Sequence, residues 1–207
     1  MFYKLFKRTF DIIFSLIILV LLSSVLIVVS IAIIIEDRGA ILFKQKRAGL
    51  NDIPFNIYKF RSMKERKGTV ASKSESPYNW VNGVPDEFIF KTTEGFNLNV
   101  TKVGRFIRKT SLDEFPQFFN VLIGNMSVIG PRPEIIEITR CYSEEQKRRL
   151  QVKPGITGWA QVNGRSDSNH GVKIKNDLYY VENRSTLLDM KILFMTIYQT
   201  FFGKGAI

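Results

Sequence analysis

Residues 12–35 run for twenty-four positions without a charge, closed off by Asp11 on one side and Glu36 on the other. As one helix the run would reach roughly 36 Å at 1.5 Å per residue, enough to cross the ~30 Å hydrocarbon core of a bilayer. It has no polar face, unlike a helix packed on a soluble core. It is too long for a standard signal peptide, and no small-residue cleavage site follows. Lys4, Lys7 and Arg8 precede it; Arg38, Lys44, Lys46 and Arg47 follow. Cationic flanks collect on the cytoplasmic side, so a straight span breaks that rule at one end and a re-entrant helix at neither. Ser15, Ser23, Ser24 and Ser30 are the polar residues inside, with Ser23-Ser24 at the midpoint. Serine hydroxyls bond backbone carbonyls and bend helices. The expected anchor is therefore residues 1–38, with a re-entrant helix over 12–35. Residues 39–207 then form one domain of ordinary size on the cytoplasmic side.

The chain carries 30 Lys+Arg against 19 Asp+Glu, a formal net charge of +11. Such an excess suits a polyanionic partner: nucleic acid, anionic lipid or a phosphorylated substrate. Cys141 is the single cysteine, which excludes an intramolecular disulfide and multi-cysteine metal sites. His170 is the single histidine. Hydrolytic or metal chemistry here has to rest on carboxylates.

Along the domain, residues 41–60 read as a β-hairpin: Ile53, Phe55 and Ile57 alternate with their neighbours, and residues 48–52 supply turn chemistry. Residues 64–97 are polar, with scattered Gly, Pro and Ser, and read as a long loop. Its aromatics Tyr78, Trp80, Phe88 and Phe90 suit local packing or contact with a membrane surface. After a basic run comes Ser111-Leu112-Asp113-Glu114-Phe115-Pro116, which puts two acids side by side. Ser111-x-x-Glu114 matches a helix capping box, but that register would place Pro116 where its missing N–H is costly. Asp113 as N-cap keeps Pro116 in the first turn, and the helix then runs through Leu122 to a stop at Gly124. Gly130-Pro131-Arg132-Pro133 is a rigid turn that aims one guanidinium. Residues 143–150 read as a short charged helix opened by a Ser143-x-x-Gln146 box. Residues 154–165 are punctuated by glycines, which either bring backbone N–H groups to a ligand or serve as tight turns. Residues 187–202 have a helical, strongly apolar pattern interrupted by Asp189, Lys191 and Gln199, suiting a core helix or one lying in the membrane interface.

Arginine forks fit phosphate oxygens, a carboxylate can attack phosphorus to form an acyl phosphate, and a second carboxylate can hold Mg²⁺ beside substrate phosphates. Together with an anchor, these parts point to phosphoryl transfer at a membrane.

The same motifs resemble the bacterial sugar transferases, the monotopic phosphoglycosyl transferases. The matching pieces are Lys7-Arg8-x-x-Asp11, Phe43-x-Gln45-x-Arg47-x-Gly49, Tyr58 to Met63, Gly104 to Gln117, Gly130-Pro131-Arg132-Pro133, Pro154 to Arg165, and Asp177-x-x-Tyr180-Val181-Glu182-Asn183. The resemblance implies transfer of a sugar-1-phosphate from a UDP-sugar to undecaprenyl (polyprenol) phosphate with release of UMP, the first membrane step of surface-glycan synthesis. It implies Asp113 as the nucleophile of a covalent phosphosugar intermediate, Glu114 as Mg²⁺ ligand, and Lys59, Arg61, Arg108, Arg132 and Arg165 as phosphate- or nucleotide-facing cations. The implied fold is a single α/β (α+β) catalytic domain on a re-entrant membrane helix, with a β-hairpin and amphipathic interfacial helices. The implied location is the bacterial inner membrane with the catalytic domain in the cytoplasm, no nucleic-acid partner, and a homodimer left open.

The chain departs from the family pattern in places. Ser23-Ser24 stands where Ser-Pro is common, Asn99 where an arginine is common, His170 where Trp is frequent, and the 64–97 loop is longer than in small members. The competing reading is a catalytically inactive, membrane-anchored basic module for binding or assembly. It gives no reason for adjacent acids in a basic setting.

Overall fold

The uncharged run is not one straight helix. In the computed structural model, which describes residues 2–64, 78–89, 99–164 and 168–202, α1 (Phe2–Leu21) and α2 (Ser23–Glu36) meet at Leu22 with a bend of 62°. The break falls at the expected serine pair. Ser23 Oγ donates to the Val20 carbonyl at 2.8 Å, the back-bonding that bends helices. Among the described residues no single helix is long and apolar enough to cross a bilayer; the bent pair together is, by length and composition alone.

The chain continues through a hairpin, β1 (Leu42–Ala48) and β2 (Pro54–Phe60), then α3 (Lys102–Lys109) and α4 (Gln117–Leu122). There follow β3 (Ser127–Ile129), α5 (Ile136–Thr139), α6 (Glu144–Lys147), β4 (Gly155–Thr157), α7 (Trp159–Asn163), α8 (His170–Asn183) and α9 (Thr186–Phe202). The result is a mixed helix-and-sheet fold with two small sheets among the described residues.

The hairpin is antiparallel with Leu42 opposite Phe60 and Ala48 opposite Pro54, as the alternation of apolar residues predicts. Its turn needs positive φ at Asn51 and Asp52, a conformation that Asn and Asp tolerate. Asn120 of α4 serves the free edge of β2: its amide donates to the Asn56 carbonyl at 2.7 Å and accepts from the Tyr58 N–H at 3.0 Å. A fully buried side chain thus supplies bonds that a third strand would otherwise give.

The β3–β4 pair is parallel and explains the glycine-rich stretch. A Cβ on Gly158 would lie 2.1 Å from the Gly130 carbonyl oxygen, and one on Gly155 would lie 2.1 Å from Gly130 N. The N–H groups are spent within the protein, Gly130 on Thr157 O and Gly155 on Pro131 O, both at 2.8 Å. These glycines allow close backbone packing, a role that is neither of the two expected.

The main core joins Ile57 of β2 and Phe118 and Val121 of α4 to Met126, Val128, Ile129, Tyr180 and Ile192. Phe10, Phe14 and Ile18 of α1 pack against it. The Lys7-Arg8-x-x-Asp11 motif fastens this contact. Lys7 pairs with Asp189 of α9 at 3.0 Å, and Arg8 donates to the Val121 and Leu122 carbonyls at 2.6 and 2.8 Å. The Asp11 carboxylate accepts from Ser127 Oγ and Val128 N at 3.0 and 2.9 Å. At the far end of the pair, Glu36 accepts from the first N–H groups of α3, Lys102 and Val103, at 2.6 and 2.7 Å. Both ends of the bent pair are bonded to one body.

A second cluster gathers Ala48, Val84, Ile138, Tyr142, Leu150, Ile174 and Leu178. The described part of the long loop packs there, with Tyr78–Trp80 and Trp80–Phe88 ring centroids 4.8 and 4.7 Å apart. Gln146 clamps Val84 through both its N–H and its carbonyl. Phe90 lies outside the described residues. The Ser143–Gln146 capping box forms, but α6 ends at Lys147, and Arg148–Gln151 continue as a 3-10 turn. Of the polar interruptions of α9, Asp189 is buried and accepts from Tyr3, Lys7 and Tyr180, Gln199 donates to Val162 O, and Lys191 is exposed with its ammonium over the Trp159 ring.

Candidate active site

The acidic pair does not start a regular helix. Ser111 is left-handed (φ 55°) with no side-chain cap, Leu112–Glu114 form a 3-10 turn, and α4 begins after Pro116. The expected N-cap at Asp113 is therefore corrected. Pro116 has no N–H to offer the Leu112 carbonyl, and Phe115 N takes that oxygen instead at 3.2 Å, one residue early. The tightened turn matters for the site, because three residues per turn set successive side chains roughly 120° apart. Asp113 and Glu114 diverge into different surroundings.

Glu114 is clamped. Lys59 Nζ and Arg132 Nη2 both reach its Oε1, at 2.7 and 3.0 Å. Lys59 shares a face of β2 with core residue Ile57, as the two-residue period of a strand requires, so packing of the hairpin aims it. Burial works to raise the Glu114 pKa, but the charges of Arg132 and Lys59 outweigh it and hold the group down at about 2. Asp113 has no ion pair among the described residues. Burial and the neighbouring Glu114 charge push its pKa above the ordinary value, against the pull of Lys59 and Arg108. One carboxylate is kept ionised and occupied, while its neighbour is left free and more basic. Environments that push two adjacent acids apart mark a division of chemical roles.

Arg132 is positioned from behind. Its carbonyl accepts from Arg149 Nη2 at 3.0 Å, and the same guanidinium meets Asp177 at 2.6 Å and the Tyr142 hydroxyl at 2.6 Å. Arg149 and Asp177 are 4% and 1% exposed, so this buried network, not solvent, fixes the Gly130-Pro131-Arg132-Pro133 turn.

The other expected cations are placed differently. Arg108 donates from Nε to Ser62 Oγ at 2.8 Å while its charge acts on Asp113. Arg61 is buried and committed to Asp37, through both its carbonyl and its carboxylate; it ties β2 to the end of α2. Arg165 lies outside the described residues. Arg47, absent from the expected set, lines a small cleft together with Lys59, Gln117 and Arg132. Its motif position was the only sequence signal for it; Arg149 gave none.

As for a metal, the described residues hold no cluster of three or more His, Cys, Asp or Glu side chains. The donor set is the two acids, and both cations bind the same Glu114 oxygen, which leaves Oε2 without an ion pair. One or two carboxylates completed by substrate phosphates is the usual Mg²⁺ arrangement, so these residues fit that ion.

The chain is 40% identical to the uncharacterized sugar transferase EpsL of Bacillus subtilis over 96% of its length and 89% of that protein. It is 41% identical to the UDP-glucose:undecaprenyl-phosphate glucose-1-phosphate transferase of Klebsiella pneumoniae, over 97% of this chain and 41% of that one. A third relative, from Aeromonas hydrophila, is named a UDP-N-acetylgalactosamine-undecaprenyl-phosphate N-acetylgalactosaminephosphotransferase and is 35% identical over 99% of this chain and 45% of its own. The chain thus spans less than half the length of the latter two. The family model described as bacterial sugar transferase matches residues 2–203, a stretch that includes the bent helix pair, the clamp and α9. The chain belongs to the bacterial sugar transferase family.

Proposed function

We propose that this chain transfers a sugar-1-phosphate from a UDP-sugar to undecaprenyl phosphate, by way of a covalent intermediate on Asp113. The observation that carries the reading is the split acidic pair: among the described residues Asp113 is free of ion pairs, and Glu114 is held by Lys59 and Arg132. An Asp113 carboxylate oxygen attacks the phosphorus that bears the sugar. An Asp–O–P bond forms, the bond from that phosphorus to the bridging oxygen breaks, and the electron pair leaves on that oxygen with UMP. A phosphate oxygen of the lipid then attacks the same phosphorus and releases the carboxylate unchanged. Lys59 and Arg132 meet phosphate oxygens and neutralise charge spread over the transferring group, and Arg108 stands beside the nucleophile. Glu114, together with substrate phosphates, would hold Mg²⁺, whose contribution is further charge neutralisation. The names of the relatives carry both glucose and N-acetylgalactosamine, so the reading is of a UDP-sugar class.

A lipid acceptor calls for a membrane, and two observations support a re-entrant anchor. Ile13, Leu16, Ile17, Val20 and Leu21 of α1 and Ile27, Val28, Ile31 and Ile35 of α2 are exposed, a larger apolar surface than a soluble monomer leaves bare. Both ends of the pair also bond to one domain, which suits entry and exit on the same, cytoplasmic, face.

The test is a UMP-release screen across UDP-sugars with undecaprenyl phosphate and Mg²⁺. Wild type is expected to release UMP from at least one sugar and Asp113→Asn from none, with both proteins equally inserted. Robust turnover by Asp113→Asn would sink the assignment.

A further inference from the structure

A nucleotide sugar carries two phosphates joined by one oxygen, and the clamp beside Asp113 accounts for only one of them. When the sugar-bearing phosphorus stands at Asp113, the second phosphate lies one bridge further on and departs with the nucleoside. A cleft adjoins the clamp. Lys59 and Arg132 border both places, and the cleft adds Arg47, Gln117, Gly155 and Ile156. Arg47 is only partly committed: Nη2 donates to Gln45 Oε1 at 2.7 Å, Nη1 reaches Pro133 O at 3.5 Å, and the buried Nε–H has no acceptor among the described residues. A buried guanidinium N–H without a partner is costly, so these contacts leave the side chain incompletely satisfied. Three cations face this cleft; among the described residues Glu114 is the one carboxylate that pairs with any of them by a salt bridge, while Glu134 and Glu137 act on Arg47 from further away. Arginine forks bind a phosphate through parallel N–H donors.

We infer that Arg47 binds the phosphate that leaves with the nucleoside, stabilising the electron pair that collects on the bridging oxygen as the bond to the transferred phosphorus breaks. The inference rests on the reaction proposed above and deepens it, separating a leaving-group subsite from the Asp113 side of the clamp. Arg47 then acts in the first half-reaction and in the binding of free UMP. It has no part in discharge of the covalent intermediate to the lipid, because the nucleotide has left by then.

Single-turnover kinetics of the full chain in lipid nanodiscs separates the two half-reactions. In Arg47→Gln the burst of UMP is expected to slow roughly ten-fold or more, the size of a lost charge-assisted hydrogen bond, and UMP to inhibit more weakly by a similar factor. Discharge of the preformed intermediate by undecaprenyl phosphate should keep the wild-type rate. Equal slowing of both half-reactions would reduce Arg47 to a strut between Gln45 and Pro133 and overturn the inference, as would unchanged inhibition by UMP. Absence of UMP from wild type with every UDP-sugar would instead overturn the underlying reaction and this inference with it.

Discussion

Single side chains divide the work at the site by their surroundings. Asp113 and Glu114 differ by one carbon and one position, yet one is free and the other holds two cations. Their substitutions should therefore fail differently. Glu114→Gln is expected to retain measurable turnover with a weakened Mg²⁺ dependence, read from UMP release across a Mg²⁺ titration; an unchanged metal requirement would count against the ligand role. Away from the site, His170 sits 5% exposed between Phe88 and Tyr142. Burial and then the Arg149 charge push its pKa down from 6.5 to about 4. As pH falls through 6.5 the unfolded chain takes up a proton that the folded chain accepts only near 4. The stabilisation is thus complete above 6.5 and is lost between 6.5 and 4, by up to roughly 3 kcal/mol. His170→Phe should lose less stability than wild type between pH 7 and pH 5 in urea unfolding. An identical drop in both proteins would contradict the assignment.

At the scale of elements, the α1 contact and the glycine crossing set how the clamp is held. Asp11 is 3% exposed and accepts from Ser127 and Val128, so Asp11→Ala strands buried donors at about 1–3 kcal/mol. The expected result is a lower thermal midpoint in detergent and faster proteolysis between α1 and the domain. Gly158→Ala drives a methyl into the Gly130 carbonyl and should cost roughly 1–3 kcal/mol or more; a wild-type melting temperature would refute the close crossing. Elements of this kind were unequally legible from sequence. The hairpin was readable because alternation and turn residues are local signals, and the helix break because serines mark it. The start of α4 was misplaced, since the loss of one N–H at Pro116 redirects a carbonyl in a way that cap patterns do not encode. Lys7, Arg8 and Asp11 read as topology signals, whereas their partners lie more than a hundred residues away. Arg149 and Asp177 were invisible as supports for Arg132 for the same reason: a buried ion pair between remote segments leaves no period in the chain.

For the whole molecule, the proposed reaction links the bent pair to the acidic pair: a site that took a water-soluble nucleotide and a membrane-bound acceptor would have to stand at the bilayer surface. Re-entry can be tested with Lys4→Cys and Arg38→Cys, each in a Cys141→Ser background. Both cysteines are expected to resist a membrane-impermeant thiol reagent applied from outside the cell and to react in inside-out vesicles. Labelling of Lys4→Cys from outside would establish a true span. The central claim concerns the covalent step, and intact-mass analysis of the full chain reads it most directly. Incubated with its UDP-sugar and Mg²⁺ but no lipid acceptor, the protein should gain one sugar phosphate on the Asp113 peptide, release one equivalent of UMP, and lose the adduct when undecaprenyl phosphate is added. Lipid product formed without any such adduct, and with UMP appearing only after the acceptor is supplied, would contradict it.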